Sequence, residues 1–246
     1  MSKLAGKVAL VTGGSRGMGA AIARRLAREG ADVAVTYVTT GDKVRAIVAE
    51  IERTGRRGLA IAADSADPLA VRTAVEQTVA VLGRLDILVN NAGIYIEKPF
   101  ADLTPDDFDR MVAVNTRAAF IASQTAAPHM REGGRIISIG SNLAERVPGP
   151  GLSLYSLTKA ALVGLTKGMA RDLGPRGITV NIVHPGSTDT DMNPASGETA
   201  EAQRSLMAIP RYGKPEDIAG LVAWLAGDEG RFVTGAAFTI DGGANA

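Results

Sequence analysis

The stretch from Lys7 to Gly30, KVALVTGGSRGMGAAIARRLAREG, constrains this chain more than any other. An apolar run, VALVT, meets Gly13, Gly14, Gly17 and Gly19, and an amphipathic Ala/Arg-rich segment follows at once. A strand that stops on glycines and restarts as a helix needs backbone that a Cβ would block or strain. A tight turn would explain it. So would a phosphate seated on the helix N-terminus, because that approach is open only where side chains are missing.

The rest of the chain repeats the alternation. Short apolar runs lie at 8–12, 33–37, 59–63, 86–90, 135–139, 178–183 and 237–240, with helical-period segments between them. In AVRTAVEQTVAVL, Val71, Val75, Val79 and Leu82 share one helix face. Strands apolar throughout are buried on both faces, which implies a parallel sheet covered by helices. The expected fold class is therefore α/β: one doubly wound domain over residues 1–246, with seven parallel strands. The polar segment 187–208, STDTDMNPASGETAEAQRSLMA, breaks the pattern and reads as a lid over the strand ends.

Bulk composition narrows the function. With 27 basic and 26 acidic residues, the chain lacks the positive excess of a nucleic-acid or membrane-surface protein. There are 0 cysteines, so disulfides and thiolate metal sites are excluded and a cytoplasmic location is expected. The start, MSKLAGK, has no apolar core of signal-peptide length. His129 and His184 stand apart from clustered carboxylates, so no metal site is expected.

In an open α/β sheet, ligands bind beyond the carboxyl ends of the strands where strand order switches. Gly13, Gly17 and Gly19 fall there, in the strand–turn–helix context that a dinucleotide site requires. The end of the second strand offers Thr36, Tyr37, Val38, Thr39 and Thr40, with no carboxylate for a ribose 2′-hydroxyl until Asp42. Arg16 in the loop suits a 2′-phosphate, and Lys43 is a second cation. Both features favour NADP(H) over NAD(H).

Two further stretches carry chemistry. In LYSLTK, Tyr155 and Lys159 are four apart and project from one helix face. A nearby ammonium, helped by a nicotinamide cation, favours tyrosinate, so the phenol's pKa is expected to fall into a useful range for proton transfer. Ser141 ends the strand RIISIGS, where its hydroxyl could hold a carbonyl oxygen or simply make a turn. Asn115 lies in a helical segment that its propensity does not favour.

TGGSRGMG, NNAG at 90–93, Asn115, Ser141, YSLTK and HPGSTDTDM occur in the order that resembles the short-chain dehydrogenase/reductase family, from about Gly6 to the terminal TIDGG. The resemblance implies a Rossmann fold and a catalytic set of Asn115, Ser141, Tyr155 and Lys159. Tyr155 would transfer the proton and Ser141 would orient the carbonyl. Lys159 would hold the nicotinamide ribose, and Asn115 a relay water. The implied cofactor contacts are Gly13, Ser15, Arg16, Gly17, Met18, Gly19, Tyr37, Asp64, Ser65, Asn91, Ala92, Gly93, Tyr155, Lys159, Pro185, Gly186, Thr188 and Thr190. Asp64 and Ser65 would meet adenine, residues 91–93 the adenosine ribose, and residues 185–190 the nicotinamide. Within the family the chain looks like the 3-oxoacyl-acyl-carrier-protein reductases, with a small carbonyl substrate and Arg131 and Arg176 as candidate carrier-docking cations. Leu143, Tyr95 and Met192 would wall the pocket. Family members commonly form homotetramers, and the face Ala160, Ala161, Gly164, Gly168 permits close helix approach. The segments DTDMNPASG and LMAIPRYGKPEDIAGLVAWLAG also resemble a cyclic-di-GMP-binding group in the same family, so a nucleotide-binding regulator is the alternative.

Overall fold

The computed structural model describes residues 3–39 and 41–246; Thr40 lies outside them. One seven-stranded parallel sheet runs through it in the order β3-β2-β1-β4-β5-β6-β7. The strands are β1 (Val8–Val11), β2 (Asp32–Tyr37), β3 (Gly58–Ala62), β4 (Ile87–Asn90), β5 (Arg135–Ile139), β6 (Thr179–Pro185) and β7 (Ala237–Ile240). The helices are α1 (Gly17–Arg28), α2 (Gly41–Glu52), α3 (Pro68–Leu82), α4 (Pro105–Val112), α5 (Ala118–Ala126), α6 (Ser153–Leu173), α7 (Ala200–Ser205) and α8 (Pro215–Ala226).

Side chains alternate across the strands, and the apolar runs supply both layers. On β1, Ala9 and Val11 join the cluster under α1, α2 and α8, while Val8 and Leu10 join the cluster under α3 and α5. Val33 and Val35 against Ala34, and Ile87 and Val89 against Leu88, repeat the division. The central strands β1, β4, β5 and β6 are buried at every position, whereas the edge strand β7 is half exposed. On α3, Val71, Val75 and Leu82 are buried and Val79 packs partly buried beside them.

Two elements differ from the sequence reading. β6 runs on through His184 and Pro185, because β7 pairs with it to the end, Pro185 opposite Ile240. The 187–208 segment, read as a lid, holds a helix that the sequence reading did not place, α7. Ala200 and Met207 pack with Tyr212 in a small apolar cluster of their own. Asn193 and Gln203 exchange amide hydrogen bonds across it at 2.9 and 3.1 Å.

Strand order reverses between β1 and β4. The crevice beyond their carboxyl ends is where a ligand of this architecture sits.

Candidate active site

The glycine loop lies at that switch point. Gly13 has φ +64, and Gly17 has φ +52, conformations that side chains disfavour. A Cβ on Gly19 would lie 2.4 Å from both Asn91 Nδ2 and the Gly13 carbonyl oxygen, so part of what the glycines admit is the protein itself. The loop is braced on both sides. Gly13 N–H donates to Thr36 Oγ1 at 2.9 Å, and Gly14 N–H to the Thr36 carbonyl at 3.0 Å. Asn91 Nδ2 donates to the carbonyls of Thr12 and Gly13, while the N–H groups of Asn91 and Ala92 both donate to Thr12 Oγ1 at 3.0 Å. The side chain of Asn91 is therefore committed to the loop. Thr12 and Thr36 were not singled out from sequence, since both read as ordinary strand-end residues.

α1 begins at Gly17 with no side-chain cap and no acidic residue in its first turn. Its N–H groups and positive pole stay directed at the crevice, which suits a bound phosphate. Arg16 stands at the mouth of this cradle. Its Nη1 lies 3.5 Å from Asp191 Oδ2, and Lys43 Nζ lies 3.5 Å from the same oxygen. The two cations singled out for a 2′-phosphate thus converge on one anion, carried by the 187–208 segment. That segment also touches the glycine loop: a Cβ on Gly17 would lie 3.4 Å from Thr190 Cγ2. Sequence reasoning missed Asp191, because nothing local marks it from its neighbours.

The other expected contact residues ring the same crevice. Tyr37 ends β2, and Asp64 and Ser65 follow β3, with Asp64 Oδ1 accepting from Ala66 N–H at 2.8 Å. Ser65 and Ala92 line a small cavity with Asn115. A Cβ on Gly93 would lie 3.4 Å from Asn115 Oδ1 and 3.5 Å from Lys159 Nζ. Pro185 and Gly186 leave β6, and Thr188 Oγ1 turns back to donate to the Gly186 carbonyl at 3.1 Å.

Between α4 and α5 the chain widens into a π-helical turn, Ala113–Arg117, a feature frequent at functional sites. Asn115 sits in it and is buried. Its Oδ1 accepts from Ile94 N–H at 2.8 Å, and its Nδ2 donates to the Ile94 carbonyl at 3.0 Å and to Thr158 Oγ1 at 3.1 Å. The poor helix former is thereby explained: its amide ties the loop after β4 to α6.

Tyr155 and Lys159 lie one turn apart near the start of α6, as their spacing predicts. Lys159 is buried, and its Nζ donates to the Ile139 carbonyl at 2.9 Å and lies 5.7 Å from the Tyr155 ring centroid. Burial lowers its pKa to about 8. Although part of the Tyr155 side chain is exposed, enough protein surrounds its hydroxyl that burial pushes the pKa up to about 12, with the Ser141 side chain pulling the other way. The expected lowering rests on the ammonium together with a nicotinamide cation; in the protein alone, desolvation of the phenolate outweighs the ammonium over the ring.

Ser141 lies just past β5, buried, with its Oγ accepting from Leu143 N–H at 3.2 Å. An oxygen that accepts there keeps its own proton free to donate. Tyr95 meets the Tyr155 ring edge-on at 5.0 Å and donates its hydroxyl to Glu97 at 2.6 Å. Of the expected wall residues, Tyr95 and Met192 are exposed and Leu143 is partly buried. Arg176, by contrast, donates to the carbonyls of Ala127 and Met130, so it holds a turn and is not a free docking cation. Among the described residues, no group of three or more His, Asp or Glu side chains could hold a metal ion, and no helix is long and apolar enough to cross a membrane.

A phenol, a free hydroxyl proton and a buried ammonium thus lie beside a phosphate cradle, an arrangement able to protonate a carbonyl oxygen while a neighbouring donor supplies hydride. Known proteins are similar to this chain. A family model described as enoyl-(acyl carrier protein) reductase matches residues 13–245. The chain is 49% identical to the cyclic-di-GMP-binding biofilm dispersal mediator protein of Escherichia coli K12, over 98% of each. It is 40% identical to the 3-oxoacyl-[acyl-carrier-protein] reductase FabG of Staphylococcus aureus Mu50, over 96% of this chain and 97% of that protein. A solved short-chain dehydrogenase from Burkholderia cenocepacia J2315, in complex with NADP, superposes with a TM-score of 0.98 at 64% identity, over 99% of this chain and 100% of the other. Fold, motif order and relatives agree: the chain belongs to the short-chain dehydrogenase/reductase family.

Proposed function

We propose that the chain is an NADP(H)-dependent oxidoreductase that reduces a ketone to a secondary alcohol, a 3-oxoacyl thioester or a simpler carbonyl compound. The observation that carries this reading is that Tyr155 lies against both Ser141 and the Lys159 ammonium, which in turn faces Gly93. The crevice fits the cofactor on its own residues: bare peptide at Gly13 and Gly17, an uncapped α1 N-terminus, and Arg16 and Lys43 paired on an anion. NADPH, when bound, supplies the hydride.

The protein's part is binding, orientation and the proton. Ser141 donates a hydrogen bond from its hydroxyl to the carbonyl oxygen, keeping its own proton, and fixes the direction of that oxygen. Tyr155, held in its neutral form by burial, gives up the proton that completes the alcohol. Lys159 sets its positive charge against the phenolate that results. Asn115 keeps α6 in register with the loop after β4. Arg16 and Lys43 hold the 2′-phosphate, and the 187–208 segment serves as the lid. We read residues 1–246 as one unit, working in the cytoplasm as a homotetramer. The cysteine-free composition supports the compartment. The tetramer rests on the exposed small-residue face Ala160, Ala161, Gly164 and Gly168 of α6.

A steady-state screen of NADPH and NADH against β-keto esters, cyclic ketones and diketones tests the reading. Cofactor oxidation with at least one ketone class, faster with NADPH, is expected. The similarity to a cyclic-di-GMP-binding protein makes a regulator the second reading. Tight cyclic di-GMP binding without oxidation of NADPH by any ketone would favour it.

The shared carboxylate leads to a cofactor prediction. Asp191 occupies the cations that a 2′-phosphate needs. Asp191→Asn should therefore tighten NADPH by about 3-fold, the scale of an exposed ion pair, and leave NADH unchanged. Arg16→Ala should weaken NADPH by about 10-fold or more and spare NADH. Fluorescence titration of both cofactors reads the two effects; equal changes for NADPH and NADH would refute the assignment.

A further inference from the structure

We propose that His184 is a positioning residue for the reaction: its imidazole replaces the strand ladder where β5 ends and so fixes the peptide that carries Ser141. The inference rests on the reading of Ser141 as the carbonyl-orienting hydroxyl.

β5 and β6 pair in register as far as Ile139 and Val183, and Gly140 N–H makes the last ladder bond, to the Val183 carbonyl at 2.7 Å. The chain then leaves the sheet. Ser141 N–H has no backbone acceptor and donates instead to His184 Nδ1 at 3.0 Å. His184 is fully buried, with 0% of its surface exposed, and lies one step further along β6. Gly140 makes room for it. A Cβ there would lie 2.4 Å from His184 Nδ1 and 2.6 Å from Cε1, so glycine at 140 and the ring at 184 fit only as a pair.

The chemistry of the ring follows. An Nδ1 that accepts a hydrogen bond carries no proton, so the neutral ring bears its hydrogen on Nε2. Burial holds the ring neutral, reinforced by the Lys159 charge and opposed by Glu145. Nε2 is buried and has no hydrogen-bond partner among the described residues. The Nδ1 bond is therefore the one polar contact the ring makes, and it ends on the catalytic serine. Ser141 is held twice, at N–H by His184 and at Oγ by Leu143 N–H. Those two bonds leave one polar hydrogen, that of the hydroxyl, which is free to bond the oxygen of Tyr155.

The test is a double-mutant cycle on the full chain with NADPH and a ketone substrate found in the screen. His184→Leu should lower kcat about 10-fold or more, with KM and NADPH affinity nearly unchanged, because the hydroxyl is misdirected and not removed. His184→Asn, which offers a carbonyl oxygen to Ser141 N–H, should recover most of that rate. In a Ser141→Ala background, His184→Leu should cost little more. Wild-type activity in Ser141→Ala would overturn the underlying reading of Ser141. A slow Ser141→Ala whose rate His184→Leu lowers by its full factor would overturn the role of His184 alone. So would equal loss in the Leu and Asn variants. Should the Leu variant fail to fold, ¹⁵N-histidine NMR of the unmutated protein decides. Only His129 and His184 contribute signals. An unprotonated Nδ1 and protonated Nε2 on His184 at neutral pH support the proposal, and the opposite tautomer refutes it.

Discussion

Tyr155→Phe is expected to lower kcat for ketone reduction by about 10²–10⁴-fold, the range that a positioned general acid contributes. NADPH affinity should stay within about 2-fold of the wild type, because the phenol hydroxyl is part of neither the glycine cradle nor the Arg16–Lys43 pair. The fold should be unaffected: Tyr155 meets Tyr95 through its ring, at 5.0 Å, and that contact survives removal of the hydroxyl. Stopped-flow NADPH oxidation, alongside fluorescence titration of the cofactor, measures both halves. A variant that reduces ketones at the wild-type rate would remove Tyr155 from the mechanism.

Lys159→Met should separate activity from stability. Lys159 is buried with only the Ile139 carbonyl as an acceptor, and its pKa falls from 10.5 to about 8. The folded chain therefore binds fewer protons than the unfolded one between those values, so wild-type stability rises with pH across that window. Below pH 8 the amine is charged in both states and the burial cost is borne in full. Methionine removes that charge. At pH 7 the variant should be more stable by on the order of 1–3 kcal/mol, reduced by the donor that Ile139 loses. The advantage should shrink toward pH 10. Activity moves oppositely: without the cation the phenolate is left unsupported, and kcat should fall about 10²-fold or more. For the same reason, wild-type reduction should decline as pH rises through about 8. Urea unfolding at pH 7 and pH 10, with a pH–rate profile, checks the pair of effects. A variant less stable at pH 7 would contradict the account of the buried amine.

What the sequence made visible follows from which interactions are local. The central strands are legible because burial on two faces demands an unbroken apolar run, as in VALV and ILVN. The glycine loop and the Tyr155–Lys159 pair were equally open, since both depend on spacing along a few residues. The braces of the site were not. Thr12, Thr36 and Asn91 act across gaps of more than 20 residues, through bonds that only the sheet brings together. Asp191 is one acid among several until the chain folds back over Arg16 and Lys43. Tyr155 shows the same limit in its electrostatics. Four-residue spacing places the ammonium near the ring, but the sign of the pKa change depends on how much protein surrounds the oxygen. α7 was missed because it is short and polar, and Ala200 finds its apolar partners, Met207 and Tyr212, outside the helix.

The central claim is that Tyr155 hands a proton to the carbonyl that the nicotinamide reduces. A crystal structure of the NADPH-bound protein tests it most directly. The account predicts the hydroxyls of Tyr155 and Ser141 on one side of the nicotinamide C4, with space for a carbonyl between them. A Tyr155 hydroxyl turned away from C4, with that space filled by protein, would contradict it.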